Sequence, residues 1–129
     1  MTFTFTISGN ATDPNGNPVP KAKLTRGQQW TPKAQAYAAW KAHVNRSFVN
    51  AWAHIQTPEA LRGRRIALSP KQHARMQLKI YWANEKHGDA ENVFGSIADA
   101  IFESDKHLDG QFVATHTEGK GRVDVKISI

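Results

Sequence analysis

In the stretch HGDAENVFG two carboxylates, Asp89 and Glu91, stand two residues apart, and a third, Asp109, follows further on in HLDGQF. Converging carboxylates are ligands for a hard divalent cation: Mg2+ prefers oxygen donors and keeps several waters. A cation held in this way neutralises charge on a phosphate and activates a water for attack on a phosphodiester. Lys86 and His87 lie in the same loop as Asp89 and can contact a phosphate. The same acids also suit plain structural work. Asp is a favoured helix N-cap, Glu in a first turn complements the helix dipole, and Asp before Gly is an ordinary turn. Residue types and spacing leave both readings open, because Asp-x-Glu is common by chance. The six histidines are scattered, with no His-x-x-x-His pair, so a zinc site is not expected and His87 reads as an exposed loop residue.

The chain has 129 residues, a length that suits one domain. It has no Cys, which excludes a disulfide framework, a thiolate metal site and a cysteine nucleophile, and suits a reducing compartment. The opening MTFTFTISGN lacks the charged start and continuous apolar run of a secretory leader. No apolar stretch approaches the ~18 residues that a membrane span needs. A soluble, cytoplasmic protein is therefore expected. Lys and Arg number 17 against 11 Asp and Glu, and they are unevenly spread. Residues 14–84 carry twelve bases and one acid, Glu59, whereas residues 85–129 carry nine acids and five bases. A basic surface of this kind points to a polyanion, nucleic acid above all, or to a solvated face that aids solubility.

The elements that must position these residues follow from periodicity. Thr2 to Ser8 alternates, with Phe3, Phe5 and Ile7 on one side, and predicts a half-buried strand. GNATDPNGNPVP is a loop. Thr31-Pro32 starts a helix that should run to about Ile55, with Tyr37, Trp40, Val44, Phe48, Ala51, Trp52 and Ile55 on its buried face. Arg75 to Trp82 alternates again, with Met76, Leu78, Ile80 and Trp82 inward. Asp89 can cap a second helix whose apolar stripe is Val93, Phe94, Ile97, Ala98, Ile101 and Phe102. Phe112–Thr117 and Arg122–Ile129 read as a hairpin around EGKG. The order predicts an α+β fold, a small mixed sheet with two main helices on one face. Trp30 and Trp82 read as core residues, with stacking on bases as the alternative.

These residues, taken together, resemble a known family. The stretch GDAENVFGSIADAIFESDKHLDGQFV is similar to the signature of the RusA-type Holliday-junction resolvases, in which Asp-x-Asp-Asn opens a helix and an Asp-Asp pair leads into a later strand. VPKAKLTRGQQWTPKAQAYAAW resembles the proline- and base-rich segment of phage and prophage members, and HTEGKGRVDVKISI looks like their closing basic hairpin. Carried over by position, Asp89 matches the first motif acid, Glu91 the second, Asn92 the Asn, Asp99 the helix Asp and Asp109 the second Asp of the pair. The resemblance implies a RusA-like domain over residues 1–129 and a Mg2+-dependent endonuclease, Mn2+ substituting, that cuts branched DNA in recombination and repair. Asp89, Glu91 and Asp109 would ligate the metal, and a metal-bound water would attack the phosphorus.

The resemblance also implies a homodimer, whose two-fold axis suits a four-way junction. Lys21, Lys23 and Arg26, with Arg62, Arg64 and Arg65, would hold phosphates, and Lys86 or Lys106 would supply charge near the metal. Three positions depart from the pattern: Glu91 replaces Asp, Leu108 stands where the pair's first Asp is expected, and Gly95 stands where the family has a Lys near the phosphate. These departures motivate an alternative of another class, a catalytically weak or inactive junction-binding protein with the same fold.

Overall fold

Four strands make one sheet. The structure is a computed structural model and describes residues 1–22, 30–54, 61 and 63–129. Strand β1, Thr2–Ser8, buries Phe3 and Ile7; β2, Ala74–Trp82, buries Met76, Leu78, Ile80 and Trp82; β4, Arg122–Ser128, buries Val123, Val125 and Ile127. Strand β3, Leu108–His116, is exposed along almost its whole length. The order across the sheet is β1-β4-β2-β3. β4 runs antiparallel to both β1 and β2, and β2 runs parallel to β3.

Two sequence expectations are corrected here. β3 and β4 do not form a hairpin, because β2 lies between them. Their connection crosses the end of β2, where the Thr117 and Gly119 amides donate to the carbonyls of Trp82 and Ala83. β3 also begins at Leu108, so Asp109 lies inside the strand, opposite Arg75.

Helix α1, Pro32–Ala53, starts as expected: the Thr31 hydroxyl accepts from the Ala34 amide, and Pro32 occupies the first position. Its buried stripe is Ala34, Tyr37, Trp40, Val44, Phe48 and Trp52. Helix α2, Ala90–Ile101, is capped by Asp89 and buries Val93, Ile97, Ala98 and Ile101. Both helices pack on the same face of the sheet in one core, which Phe3, Phe48 and Trp52 join at one end through ring contacts. The helices are locked by the Trp40 indole, which donates to the buried Ser96 hydroxyl at 2.9 Å. Among the described residues no helix is long and apolar enough to cross a membrane.

Candidate functional site

The backbone sends the three acids to different places. Asp89 sits at the N-terminus of α2, where one carboxylate oxygen accepts from the Glu91 amide at 2.8 Å, so it does cap the helix. Both Asp89 and Glu91 are exposed there. Asp109 is paired in register with Arg75 at the amino end of β2. Side chains alternate along a strand, so Asp109 lies on the face shared with Arg75, Gln77, Lys79 and Tyr81, away from the helices.

Neighbouring parallel strands start at the same end. The exit of β2 and the entry of β3 are therefore at opposite ends, and only an antiparallel pair would have brought them together. From Asp109 to His116, which lies at the far end beside His87, β3 rises by ~23 Å at ~3.3 Å per residue. Ligands of one ion lie within ~5 Å of each other, given metal–oxygen distances of ~2–2.6 Å. Among the described residues, Asp89, Glu91 and Asp109 do not form a group within 4.8 Å of one another, so the structure does not bring the three expected ligands together.

A different trio does converge. Among the described residues, the one group of three potential ligands within 4.8 Å of one another is Glu85, His87 and His116. Such a group can hold a metal ion. His87 comes from the loop after β2 and His116 from the last position of β3, opposite Trp82. Their Nε2 atoms are 3.1 Å apart, and His116 Nε2 lies 3.7 Å from a Glu85 carboxylate oxygen. The His87 ring stacks on Trp82 with centroids 4.0 Å apart and planes 6° from parallel. His87 is thus a half-buried, oriented ring and not the free loop residue that its setting in NEKHG suggests. Sequence periodicity gave no signal for this pairing, because the two histidines lie 29 residues apart and meet only through the parallel register.

The expected cationic residues do not share one surface. Lys23, Arg26 and Arg62 lie outside the described residues. Lys21 pairs with Asp99 at 3.1 Å, and its amide donates to the Asn92 carbonyl at 2.8 Å. Its aliphatic stem passes 3.6 Å from where a Cβ on Gly95 would stand, so this lysine occupies the space over Gly95. Tyr37 donates to the same Asp99 oxygen, and burial, then the Asp99 charge, raises the Tyr37 hydroxyl well above its ordinary pKa. Arg64 bonds Asn45, and Arg65 reaches the Asp99 carbonyl at 3.5 Å. Lys86 is exposed in the loop after β2, and Lys106 is exposed in the loop before β3. Trp82 is buried as expected, whereas Trp30 is 81% exposed and is not a core residue.

The uncovered sheet face was not singled out by sequence reasoning. Register places four rows across it: Thr2–Ser128–Arg75–Asp109, Thr4–Lys126–Gln77–Gln111, Thr6–Asp124–Lys79–Val113 and Ser8–Arg122–Tyr81–Thr115. A shallow concavity of about 950 Å³ crosses the middle rows. Gln77 donates to Gln111 at 3.1 Å, Thr6 to Asp124 at 3.0 Å, and the Arg122 guanidinium lies 4.2 Å over the Tyr81 ring. Arg75, Lys79 and Lys126 have no ion pair among the described residues. The signal was present in the sequence as the polar positions of each alternation, but only the strand order shows that they align. In sequence, the chain matches no protein-family model and no curated protein.

Proposed function

We propose that this protein binds DNA, with branched DNA as the class suggested by its motif resemblance, and that the open sheet face receives the sugar–phosphate backbone. One observation carries the reading: Lys79 and Lys126 line the open concavity among threonines and glutamines, with Asp124 beside them, and Arg75 and Arg122 stand on the rows to either side, Arg122 paired with Asp124 at 3.5 Å. Cations satisfy phosphate charge, and hydroxyl and amide side chains donate to phosphate and sugar oxygens. Such contacts position a strand and carry little sequence information. A flat apolar sheet would have called for a protein partner; a cationic, hydrogen-bonding trough suits a polyanion. Of the two classes of resolvase-like protein, the binder with weak or no cleavage fits better, because the three motif acids do not gather on one ion. On a four-way junction the binding unit would be a homodimer, whose symmetry matches that of the DNA.

The test is anisotropy with a labelled four-way junction across a salt series, in the wild type and in Lys79→Ala/Lys126→Ala. Each phosphate neutralised contributes ~0.9 to the slope of log affinity against log salt, so the double variant should lose ~1.8 from that slope. Affinity should fall by tenfold or more. An unchanged slope and affinity would remove the sheet face from the DNA site.

A second reading, the Mg2+-dependent endonuclease, is favoured by the position of Lys21, whose stem lies over Gly95 beside Asn92. In that reading Asp89 and Glu91 alone would hold Mg2+, with Lys21 supplying the missing lysine. Nicking of the same junction with Mg2+, lost in Asp89→Asn and kept in Asp109→Asn, would establish it.

A further inference from the structure

We propose that Glu85, His87 and His116 form a transition-metal site, Zn2+ being the best occupant, at the carboxyl end of β2 and β3. The distances fit the chemistry. Two nitrogens bound tetrahedrally at Zn–N distances of ~2.0–2.1 Å are ~3.3 Å apart. The two Nε2 atoms stand 3.1 Å apart, with the Glu85 oxygen 3.7 Å from one of them. A pair of imidazoles with one carboxylate selects a borderline metal such as Zn2+ over Mg2+, which prefers oxygen donors and octahedral geometry.

The surroundings orient the ligands. His87 Nδ1 lies 2.8 Å from the Gly88 carbonyl, so its proton points there and Nε2 is left as the free lone pair. The flat stack on Trp82 fixes the ring plane. The loop is pinned by Asn17, which accepts from the Ala83 amide at 2.6 Å and donates to Asn84 Oδ1 and the Lys86 carbonyl, each at 3.0 Å. Gly88 lies against Pro20, where a Cβ would meet the ring at 2.6 Å. His116 is carried by strand pairing with Trp82. Glu85 is the most exposed ligand, its side chain 89% exposed, and it must order on binding. Three protein ligands leave a fourth position open to water or to an anionic oxygen, as in sites that bind or activate a substrate and unlike closed structural sites.

The rival arrangement is a metal-free one, in which His116 Nε2 donates to His87 Nε2 and Glu85 attends the pair. Metal binding without DNA separates the two and stands or falls apart from the DNA reading. The full chain, stripped with chelator, is titrated with Zn2+ by calorimetry and with Co2+ by visible absorption. The expected result is one equivalent per chain, undisturbed by millimolar Mg2+. Loss of an outer-shell partner typically costs ~10–100-fold in affinity, and loss of a ligand should cost at least that in His116→Ala and in His87→Phe. The phenyl ring keeps the stack on Trp82 while removing both nitrogens, and circular dichroism confirms that each variant is folded. Glu85→Gln should weaken binding less. Absence of saturable Zn2+ binding, equal affinity in His116→Ala, or displacement by Mg2+ would each overturn the site.

Discussion

The two ends of the β2–β3 pair are built from one register and do opposite things. At the carboxyl end, the chain leaves β2 through a loop held by Asn17, and Glu85, His87 and His116 meet there before Asp89 opens α2. At the amino end, Arg75 and Asp109 sit side by side on the open face, and the nearest helix contact is the Phe94 ring over Gly110. In open sheets with parallel strands, ligands collect in the crevice outside the carboxyl ends, where helix N-termini and loops converge. The amino end, by contrast, offers strand starts and returning connections. The comparison explains why an acid in the first turn after one strand and an acid at the start of the next cannot be treated as neighbours. A crossover helix carries the chain back along the sheet before the second strand begins.

That geometry also marks what the residues disclosed and what they hid. Period-two alternation in TFTFTIS, ARMQLKIYW and RVDVKIS was legible because burial on one face imposes it, and all three are strands. The Thr31-Pro32 start and the Asp89 cap were legible because they are local. Strand order is not local. EGKG between two alternating runs has the form of a hairpin, yet β4 pairs with β1 and β2, where Val123, Val125 and Ile127 complete the core, and β3 is left as the exposed edge. Trp30 shows the same limit in one residue: its apolar surface predicted burial, but it is 81% exposed. His87 and His116 carry no pattern at all until the register is known.

The contrast between the ends is most sharply broken or upheld at Gly110. A Cβ there would stand 2.1 Å from the ring of Phe94, an α2 residue that is half-buried beside Phe112. Gly110→Ala must drive that ring aside, and overpacking of this kind costs ~1–3 kcal/mol, read from the denaturant midpoint. Zn2+ affinity should not change, since the disturbance is confined to the amino end. His116→Ala should do the reverse, leaving stability within ~0.5 kcal/mol because the side chain is exposed, while binding is lost. If Gly110→Ala also weakened the metal, the ends would be one coupled unit.

A smaller effect separates the two aspartates. Asp89→Ala removes an N-cap and should cost ~1 kcal/mol of stability. Asp109→Ala, on an exposed edge strand where Asp is a poor β-former, should be neutral or slightly stabilising, within ~0.5 kcal/mol. Equal destabilisation by the two would show that Asp109 has a partner in the fold that its register position does not give it.

The finest discrimination is the coupling between them. If both carboxylates faced one small site, each would feel the other's charge, and removing either would relieve a repulsion that removing both relieves only once. The double variant would then depart from the sum of the singles, and the departure would grow as salt was lowered, because screening of exposed charges weakens. Asp89 caps a helix packed on one face of the sheet, and Asp109 lies on the other face, in register with Arg75. Sites more than ~7–10 Å apart with no shared partner add to within ~0.3–0.5 kcal/mol. A cycle of Asp89→Asn and Asp109→Asn, measured by urea unfolding at low and high salt, should therefore close to within that figure at both. A coupling above ~1 kcal/mol that shrinks with salt would place the two acids together and favour the shared-ion reading.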